Sequence, residues 1–188
     1  LDYFSTLKIT DEDIQKGKMY SQEKERKNLQ ENSTDLSEYL NLLSMECEIK
    51  VDDRDNIERI SQMTQKTNQF NMTTKRYLEE DILGFIHSDQ FHIFTLSLSD
   101  KFGDYGTTGL AIIKKDGLEW IVDSFLLSCR ILGREAENAL MSEVISYVRS
   151  QGGSRIFGSF IETKKNIVAK DAFEKLGFTE YDNDELNW

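Results

Sequence analysis

The spacing of hydrophobic positions in the second half of the chain predicts two strands and two helices. Residues 118–127 form an apolar run rich in β-branched and aromatic side chains, which is typical of a buried strand. Residues 135–148 carry apolar side chains every three or four positions, which predicts an amphipathic helix. Residues 155–161 predict a second buried strand, and residues 166–176 predict a helix that ends at Gly177. The predicted inward side chains of that last helix are Ile167, Val168, Phe173 and Leu176.

The first half of the chain predicts helices that lead into a series of strands. Thr10 and the acids after it predict the start of a helix to about Gln30, and Ser33-Thr34-Asp35 predicts the cap of a second helix. The remaining predicted elements are a strand at 48–51, a helix capped by Asp52 and Asp53, a polar loop at 67–71, a helix at 79–87, and strands at 91–99 and 109–115 joined by a connection at 100–106.

The turn between the strand at 118–127 and the next helix carries the first specific motif. A turn of this kind leaves backbone N–H groups at a helix N-terminus, where they can hold an anion. Its residues Arg130-Ile131-Leu132-Gly133-Arg134-Glu135 resemble the R/QxxGxG/A loop of the GNAT acyltransferase superfamily. Asn166 and the ending Lys175-Leu176-Gly177-Phe178 resemble the fourth helix of that fold. The resemblance implies an α+β, GNAT-like mixed sheet flanked by helices and preceded by a short helical segment.

Three longer motifs resemble a narrower family. TQKTNQFNMTTKRY (64–77), DKFGDYG (100–106) and DSFLLSCRILGRE (123–135) are similar to the C-terminal region of FkbH-like proteins. In that family a phosphatase-like domain of the haloacid dehalogenase (HAD) superfamily precedes a GNAT-like domain. The resemblance therefore implies that residues 1–46 are a helical remnant or linker from the end of a HAD-like domain. Residues 47–188 are expected to form a GNAT-like acyltransferase domain.

The charge of the chain bears on its partners. The 188 residues carry 34 acids against 23 bases, a net charge of -11, so nucleic acid and anionic membranes are unfavourable partners. No apolar stretch approaches the roughly 20 residues of a membrane span, and the N-terminus lacks a signal-peptide pattern. Two cysteines are too few for a disulfide framework. A cytoplasmic location is the prediction.

Cys129 is the candidate nucleophile. It lies where the strand ends, beside Arg130 and before a helix, and such surroundings favour a thiolate. The FkbH-like resemblance implies transfer of a glyceryl-type acyl group through a cysteine thioester to the phosphopantetheine of an acyl carrier protein. Asp100 and Asp104 are candidate acid–base or substrate-orienting groups, with plain turn formation as the alternative.

The resemblance also implies a set of binding residues and no metal site. These residues are Thr67, Asn68, Gln69 and Asn71 around the substrate, Arg130, Gly133 and Arg134 around a phosphate, and Asn166 facing the pantetheine or capping its helix. Glu135 departs from the GNAT pattern, which has a small Gly or Ala there. Because a carboxylate repels a pyrophosphate, the expected ligand is a carrier-borne phosphopantetheine rather than coenzyme A.

The sequence is also compatible with two other functions. A coenzyme A-dependent GNAT N-acetyltransferase would bind coenzyme A despite Glu135 and would not need Cys129. A non-catalytic module that docks a carrier protein would use Lys164 and Lys165 rather than Cys129. The expected partners are an acyl carrier protein and a HAD-like domain of the same polypeptide.

Overall fold

The structure is a computed structural model that describes the backbone of residues 11–180 and the side chains of residues 17–180. Its fold is α+β, with a mixed sheet and flanking helices. The helices are α1 (Asp11–Glu31), α2 (Leu36–Leu43), α3 (Ile57–Lys66), α4 (Glu79–Ile86), α5 (Ala136–Ser150) and α6 (Ala172–Lys175). The strands are β1 (Glu46–Val51), β2 (Phe70–Asn71), β3 (Phe91–Asp100), β4 (Gly103–Asp116), β5 (Glu119–Leu127) and β6 (Arg155–Gly158). In the described part of the chain, no helix combines the length and apolarity needed to cross a bilayer.

The chain divides into two compact units. The first comprises the described residues 11–46 together with 99–104, and the second comprises 47–98 and 105–180. In the first unit, Asp35 begins α2 by accepting a hydrogen bond from the Glu38 amide at 2.9 Å. Glu38 in turn accepts one from the Thr34 amide at 2.6 Å, and this reciprocal cap satisfies N–H groups that a helix start leaves unpaired.

The first unit also holds a buried ion pair. Arg26 on α1 donates from Nε to Asp100 Oδ2 at 2.7 Å and from Nη2 to Asp100 Oδ1 at 2.9 Å. The two side chains are 4% and 0% exposed. Asp100 also accepts hydrogen bonds from the amides of Phe102 and Gly103, so it forms the turn between β3 and β4 as well.

The sheet has the strand order β1-β3-β4-β5-β2, and β6 also pairs with β5. In the second unit, one face of the sheet packs against α3 and α4 through the buried residues Ile60, Met63, Ile82, Ile93, Leu110, Ile112 and Leu126. The other face packs against α5, whose Tyr147 ring meets the rings of Phe94 and Trp120. The alternation of Ile93 and Phe94 between the two faces follows from the two-residue period of a strand.

The predicted loop at 67–71 ends in the short strand β2, and Asp53 caps a 3-10 turn (Arg54–Asn56) ahead of α3 rather than α3 itself. The other predicted elements are present, with three corrections. The predicted connection at 100–106 is shorter, because β4 already begins at Gly103 and Asp104 lies on a strand. The second buried strand ends at Gly158 rather than residue 161. The Thr10 cap lies outside the described residues.

The predicted helix at 166–176 is the third correction. It is a 3-10 turn (Ile167–Ala169) followed by the short α6, with Gly177 in the left-handed region at φ 86°. Ile167 and Val168 are 60% and 66% exposed, so the prediction that they point inward is wrong. The small residues Ala169 and Ala172 are buried instead. The side chain of Asn166 bonds to local backbone, which competes with a regular helix at this point.

Candidate functional site

The outer edge of β5 is divided between two partners. Its first half pairs in parallel with β6, from Glu119 opposite Arg155 to Val122 opposite Gly158. Its last residues pair antiparallel with β2, where Phe70 lies opposite Leu127. The two partners separate beyond residue 122, and the chain after β2 fills the gap.

Met72 bridges this gap through its backbone. Its amide donates to the Phe125 carbonyl at 3.0 Å, and its carbonyl accepts from the Ile161 amide at 2.8 Å. Thr73 adds a hydrogen bond from its hydroxyl to the Asp123 carbonyl at 2.8 Å. The protein's own backbone and side chains therefore occupy this part of the β5 edge, and a ligand could pair there only after displacing residues 70–73.

The side chain of Asn166 anchors the segment that fills this gap, residues 70–73, through a hydrogen bond to Asn71. Its Nδ2 donates to the Asn71 carbonyl at 2.8 Å and to the Ile161 carbonyl at 3.0 Å. Its Oδ1 accepts from the amide and the hydroxyl of Thr163 at 2.7 and 2.8 Å. The predicted N-cap role is wrong, because the side chain makes no capping bond to the turn that follows it. Asn166 is fully buried, so its observed contacts are structural.

The turn after β5 follows the predicted course but contains two helical segments. Ser128 precedes a 3-10 turn over Cys129–Ile131, and α5 begins only at Ala136. Gly133 has φ 75°, and no atom lies within 4 Å of the position that an added Cβ would take. The turn is therefore open around Gly133.

Glu135 begins α5 with an unfavourable backbone conformation. Its φ is 58°, in the left-handed region, and its side chain makes no capping hydrogen bond. A non-glycine residue in this region costs about 1–2 kcal/mol. Either small residue of the GNAT pattern would remove the negative charge at the helix start, and Gly would also avoid this strain.

Arg134 points into the protein rather than toward a ligand. Its side chain is buried, and the guanidinium carbon lies 4.7 Å from the centre of the Tyr105 ring. This geometry is a cation–π contact. A binding role for Arg134 stays a prediction, and its observed contact is with the second unit's own core.

A polar cleft of about 390 Å³ lies beside the end of β5. We call it the basic cleft, because its lining includes three cationic side chains and no acidic one among the described residues. The residues that line it are Arg59, Gln62, Met63, Lys66, Thr67, Asn68, Gln69, Ser128, Cys129 and Arg130. The structure therefore brings together five of the predicted site residues, namely Thr67, Asn68, Gln69, Cys129 and Arg130.

Arg59 forms a fixed wall of the basic cleft. Its Nε and Nη2 donate to the Thr107 carbonyl at 3.2 and 2.9 Å, and its Nη1 donates to Gln62 Oε1 at 2.7 Å. Burial lowers the pKa of the Arg59 guanidinium, and the nearby charge of Arg130 lowers it further. The positive charges of Arg59 and Arg130 therefore lie close together, and both side chains are partly buried.

Arg76, which does not line the basic cleft, binds the free carbonyl groups at the C-terminus of α3. Its Nη1 donates to the Thr64 carbonyl, and its Nη2 donates to Asn68 Oδ1 at 2.6 Å. These contacts cover the carbonyl groups that a helix C-terminus leaves unpaired. Lys66, in the last turn of α3, is exposed and lines the basic cleft.

A second polar cluster surrounds Asp123 on β5. Its carboxylate accepts hydrogen bonds from Tyr77 Oη and Lys75 Nζ, both at 2.6 Å, and from Ser124 Oγ at 3.2 Å. Burial and the adjacent Asp123 carboxylate raise the pKa of Tyr77 well above its usual range. Tyr77 is therefore a protonated donor at neutral pH, and Asp123 is engaged by neighbouring side chains.

The structure does not gather all predicted residues in one place. Asn71 is buried and does not line the cleft, and its Oδ1 accepts from the Thr74 amide at 2.9 Å. Asp100 belongs to the first unit and is bound to Arg26, whereas the basic cleft belongs to the second unit. Asp104 is exposed on β4. Catalytic roles for Asp100 and Asp104 stay predictions.

Sequence reasoning missed the cations of α3. Lys66 falls inside the motif at 64–77 that resembles the FkbH-like family, yet only Thr67 and the amides of that motif were predicted to belong to the site. Arg59 lies outside the motif, on an amphipathic helix where a charged residue ordinarily predicts a solvated face. The signal that could have indicated both is their spacing of seven residues, which places them on one face of a helix.

The fold of the chain is similar to that of the GNAT acetyltransferases. The ribosomal-protein-S18-alanine N-acetyltransferase from Escherichia coli matches 73% of this chain and 80% of its own length, at a TM-score of 0.55 and 14% identity. A structure of an acetyltransferase described as of the GNAT family, from Desulfovibrio desulfuricans, matches 74% of this chain and 87% of its own, at a TM-score of 0.57 and 13% identity.

A third similar structure carries a ligand. The aminoglycoside N-acetyltransferase AAC(6')-Iy in complex with coenzyme A matches 74% of this chain and 92% of its own, at a TM-score of 0.57 and 10% identity. No protein-family model and no curated protein sequence matches the chain. These structural likenesses confirm the α+β, GNAT-like fold.

The comparisons also correct one prediction. Similar structures are complexes with coenzyme A or with a coenzyme A bisubstrate analogue. The prediction of a carrier-borne phosphopantetheine in preference to coenzyme A is therefore wrong. The FkbH-like and HAD-like relationships, the assignment of residues 1–46, the carrier-protein partner and the cytoplasmic location stay predictions.

Proposed function

We propose that the chain is a coenzyme A-dependent acyltransferase, which moves an acyl group from an acyl-coenzyme A thioester to a small acceptor. The observation that carries the proposal is the similarity of its sheet and helices to a coenzyme A complex over 74% of this chain. The acetyltransferase neighbours favour an amine as the acceptor group. In that case the amine attacks the thioester carbonyl, the carbon–sulfur bond breaks, and the proton that the amine loses ends on the departing coenzyme A thiolate.

The turn from Ser128 to Glu135 has features that fit the phosphate end of coenzyme A. Gly133 leaves open space, and the first amides of α5 follow directly after the turn. Unpaired N–H groups at a helix start carry partial positive charge and donate to phosphate oxygens. Arg130, in the same turn, adds positive charge.

One residue of the turn opposes this ligand. The Glu135 carboxylate is exposed at the start of α5 and repels a phosphate. Because the side chain is exposed, water and salt screen this repulsion, so it weakens binding without preventing it.

The proposal is tested by titrating coenzyme A into the protein and into Gly133→Ala, with calorimetry as the measurement. Gly152→Ala is a matched control, because Gly152 also has a positive φ, of 73°, and no atom within 4 Å of an added Cβ. Both substitutions bring similar backbone strain. We expect coenzyme A to bind the wild-type protein and Gly152→Ala, and to bind Gly133→Ala at least tenfold more weakly. No binding to the wild-type protein would exclude the proposal.

A second candidate is a two-step transfer through Cys129. Cys129 is exposed and lines the basic cleft. In this route the Cys129 thiolate attacks the thioester carbonyl, the coenzyme A thiolate leaves, and the acceptor then displaces the cysteine. Intact-protein mass spectrometry after incubation with acetyl-coenzyme A tests it, with Cys47→Ala as the control because Cys47 is also exposed. An acetyl adduct lost only in Cys129→Ala would support the two-step route, whereas turnover by Cys129→Ala at the wild-type rate would support direct transfer.

A further inference from the structure

The basic cleft concentrates positive charge in an acidic protein. The chain has a net charge of -11, yet the cleft is lined by Arg59, Lys66 and Arg130 and by no acid among the described residues. Within the described part of the chain, none of these three side chains forms a salt bridge. Positive charges in proteins are ordinarily spread over the surface or paired with carboxylates, so this grouping favours an anionic ligand.

The contacts of Arg59 show that its charge is positioned but not neutralised. All its acceptors are neutral, namely the Thr107 carbonyl and the Gln62 amide oxygen. They fix the planar guanidinium and leave its remaining N–H groups for another acceptor. A fixed guanidinium is suited to bidentate recognition of a carboxylate or phosphate.

Helix capping does not account for the other two cations. The carbonyl groups at the end of α3 are bound by Arg76, which does not line the cleft. Arg130 donates from Nε to its neighbour Ser128 at 3.4 Å, a weak neutral contact. Lys66 and Arg130 are therefore both available to a ligand in the cleft.

The amides of the cleft supply further polar groups. Asn68 and Gln69 line it together with Ser128 and the Cys129 thiol. Its volume of about 390 Å³ lies within the range of 300–1,000 Å³ that small-molecule sites ordinarily have. The cleft is thus suited to a small molecule with an anionic end and hydrogen-bonding groups.

We propose that the basic cleft binds the acceptor substrate and that this acceptor carries a carboxylate or phosphate group. The proposal rests on the proposed acyltransferase function. It distinguishes this chain from its aminoglycoside N-acetyltransferase neighbours, because the ammonium groups of an amino sugar would be repelled by three cations.

Binding titrations with two probes test the proposal and identify the anion. Inorganic phosphate and succinate are titrated separately into the full chain, into Arg59→Gln and into Lys66→Gln. Arg149→Gln is the matched control, because Arg149 is exposed and lines a different groove. Lys66 is exposed, so Lys66→Gln is expected to fold even if Arg59→Gln does not.

We expect one of the two probes to bind, with affinity reduced about tenfold or more in Arg59→Gln and Lys66→Gln. The affinity should be unchanged in Arg149→Gln and should fall as the salt concentration rises. Absence of binding by both probes, or an equal loss in all three variants, would overturn the proposal.

A parallel titration with coenzyme A separates this proposal from the acyltransferase proposal. If the variants keep the coenzyme A affinity of the wild type while losing the anion, the cleft holds the acceptor. If coenzyme A affinity falls by the same factor, the cleft holds a phosphate of the donor, and the acceptor assignment is overturned. If coenzyme A does not bind at all, the acyltransferase proposal fails, and the anion titrations still establish or exclude an anion site.

Discussion

Asn166 Nδ2 donates a hydrogen bond of 2.8 Å to the carbonyl of Asn71, a residue 95 positions earlier in the chain. This bond joins the loop after β6 to the segment that fills the gap beside β5. The same side chain binds Ile161 and Thr163, so one amide joins the backbone at 161–163 to the backbone at Asn71. The segment that fills the gap is therefore fixed by a residue that does not line the basic cleft.

Replacing Asn166 should destabilise the protein substantially. Asn166→Ala leaves the Asn71 carbonyl without its donor in a buried place and also removes the part-buried bond to the Ile161 carbonyl, and we expect a loss of about 2–4 kcal/mol in the free energy of unfolding. Asn138→Ala, on the exposed face of α5, is the control and should change it by less than about 0.5 kcal/mol. Chemical denaturation measures both. Equal, small effects would mean that the hydrogen bonds of the Asn166 side chain do not stabilise the protein.

The buried pair of Arg26 and Asp100 gives a second prediction. Arg26→Gln leaves the Asp100 carboxylate buried without its charged partner, and we expect a loss of about 3–5 kcal/mol. Glu23→Gln tests the same region without this effect, since Glu23 is exposed and lies 3.6 Å from Arg26. An exposed pair contributes at most about 1 kcal/mol. A similar loss in both variants would contradict the assignment of the stability to Asp100.

The same pair predicts a dependence on pH. Burial alone would raise the pKa of Asp100, but the hydrogen bonds from Arg26 and the Phe102 amide outweigh it and hold the pKa below its usual range. Stability from a depressed carboxyl pKa is complete above the unfolded pKa of about 3.9 and is lost as pH falls through the folded pKa. We therefore expect the free energy of unfolding to fall below about pH 4 in the wild type. Asp100→Asn should fall less steeply in the same pH range; an identical slope would exclude Asp100 as its source.

Two variants of Glu135 distinguish the effect of its backbone strain on stability from the effect of its charge on coenzyme A binding. Glu135→Gly relieves the positive φ of 58° and should stabilise the protein by about 1 kcal/mol. Glu135→Gln keeps the strain and removes a negative charge that a helix N-terminus favours, so it should lower the free energy of unfolding by about 0.5 kcal/mol. Both variants should bind coenzyme A more tightly than the wild type, because both remove the repulsive carboxylate. Thermal unfolding and calorimetry measure the two effects, and equal stabilities of the Gly and Gln variants would show that the strain is absent.

The sequence by itself determined the local elements of this protein. Helices α3 and α5 follow from apolar spacings of three to four, strand β3 from a spacing of two, and strand β5 from a continuous apolar run. All of these patterns depend only on near neighbours in the chain. The turn with Gly133 was recognisable for the same reason, since its motif is continuous. The part of the site formed by Thr67, Asn68, Gln69, Cys129 and Arg130 was likewise predicted from continuous motifs, although not as a single cleft.

Only the tertiary structure decided which of these residues meet. The bridge from Met72 to Phe125 and Ile161, the ion pair of Arg26 with Asp100 over 74 positions, and the approach of Arg59 to Arg130 all join distant parts of the chain. Periodicity contains no information about such pairs, because it records the direction of a side chain and not the atoms it will reach. Asn166 illustrates the difference: its position suggested a helix cap, but buried carbonyl groups from other segments required its amide more strongly.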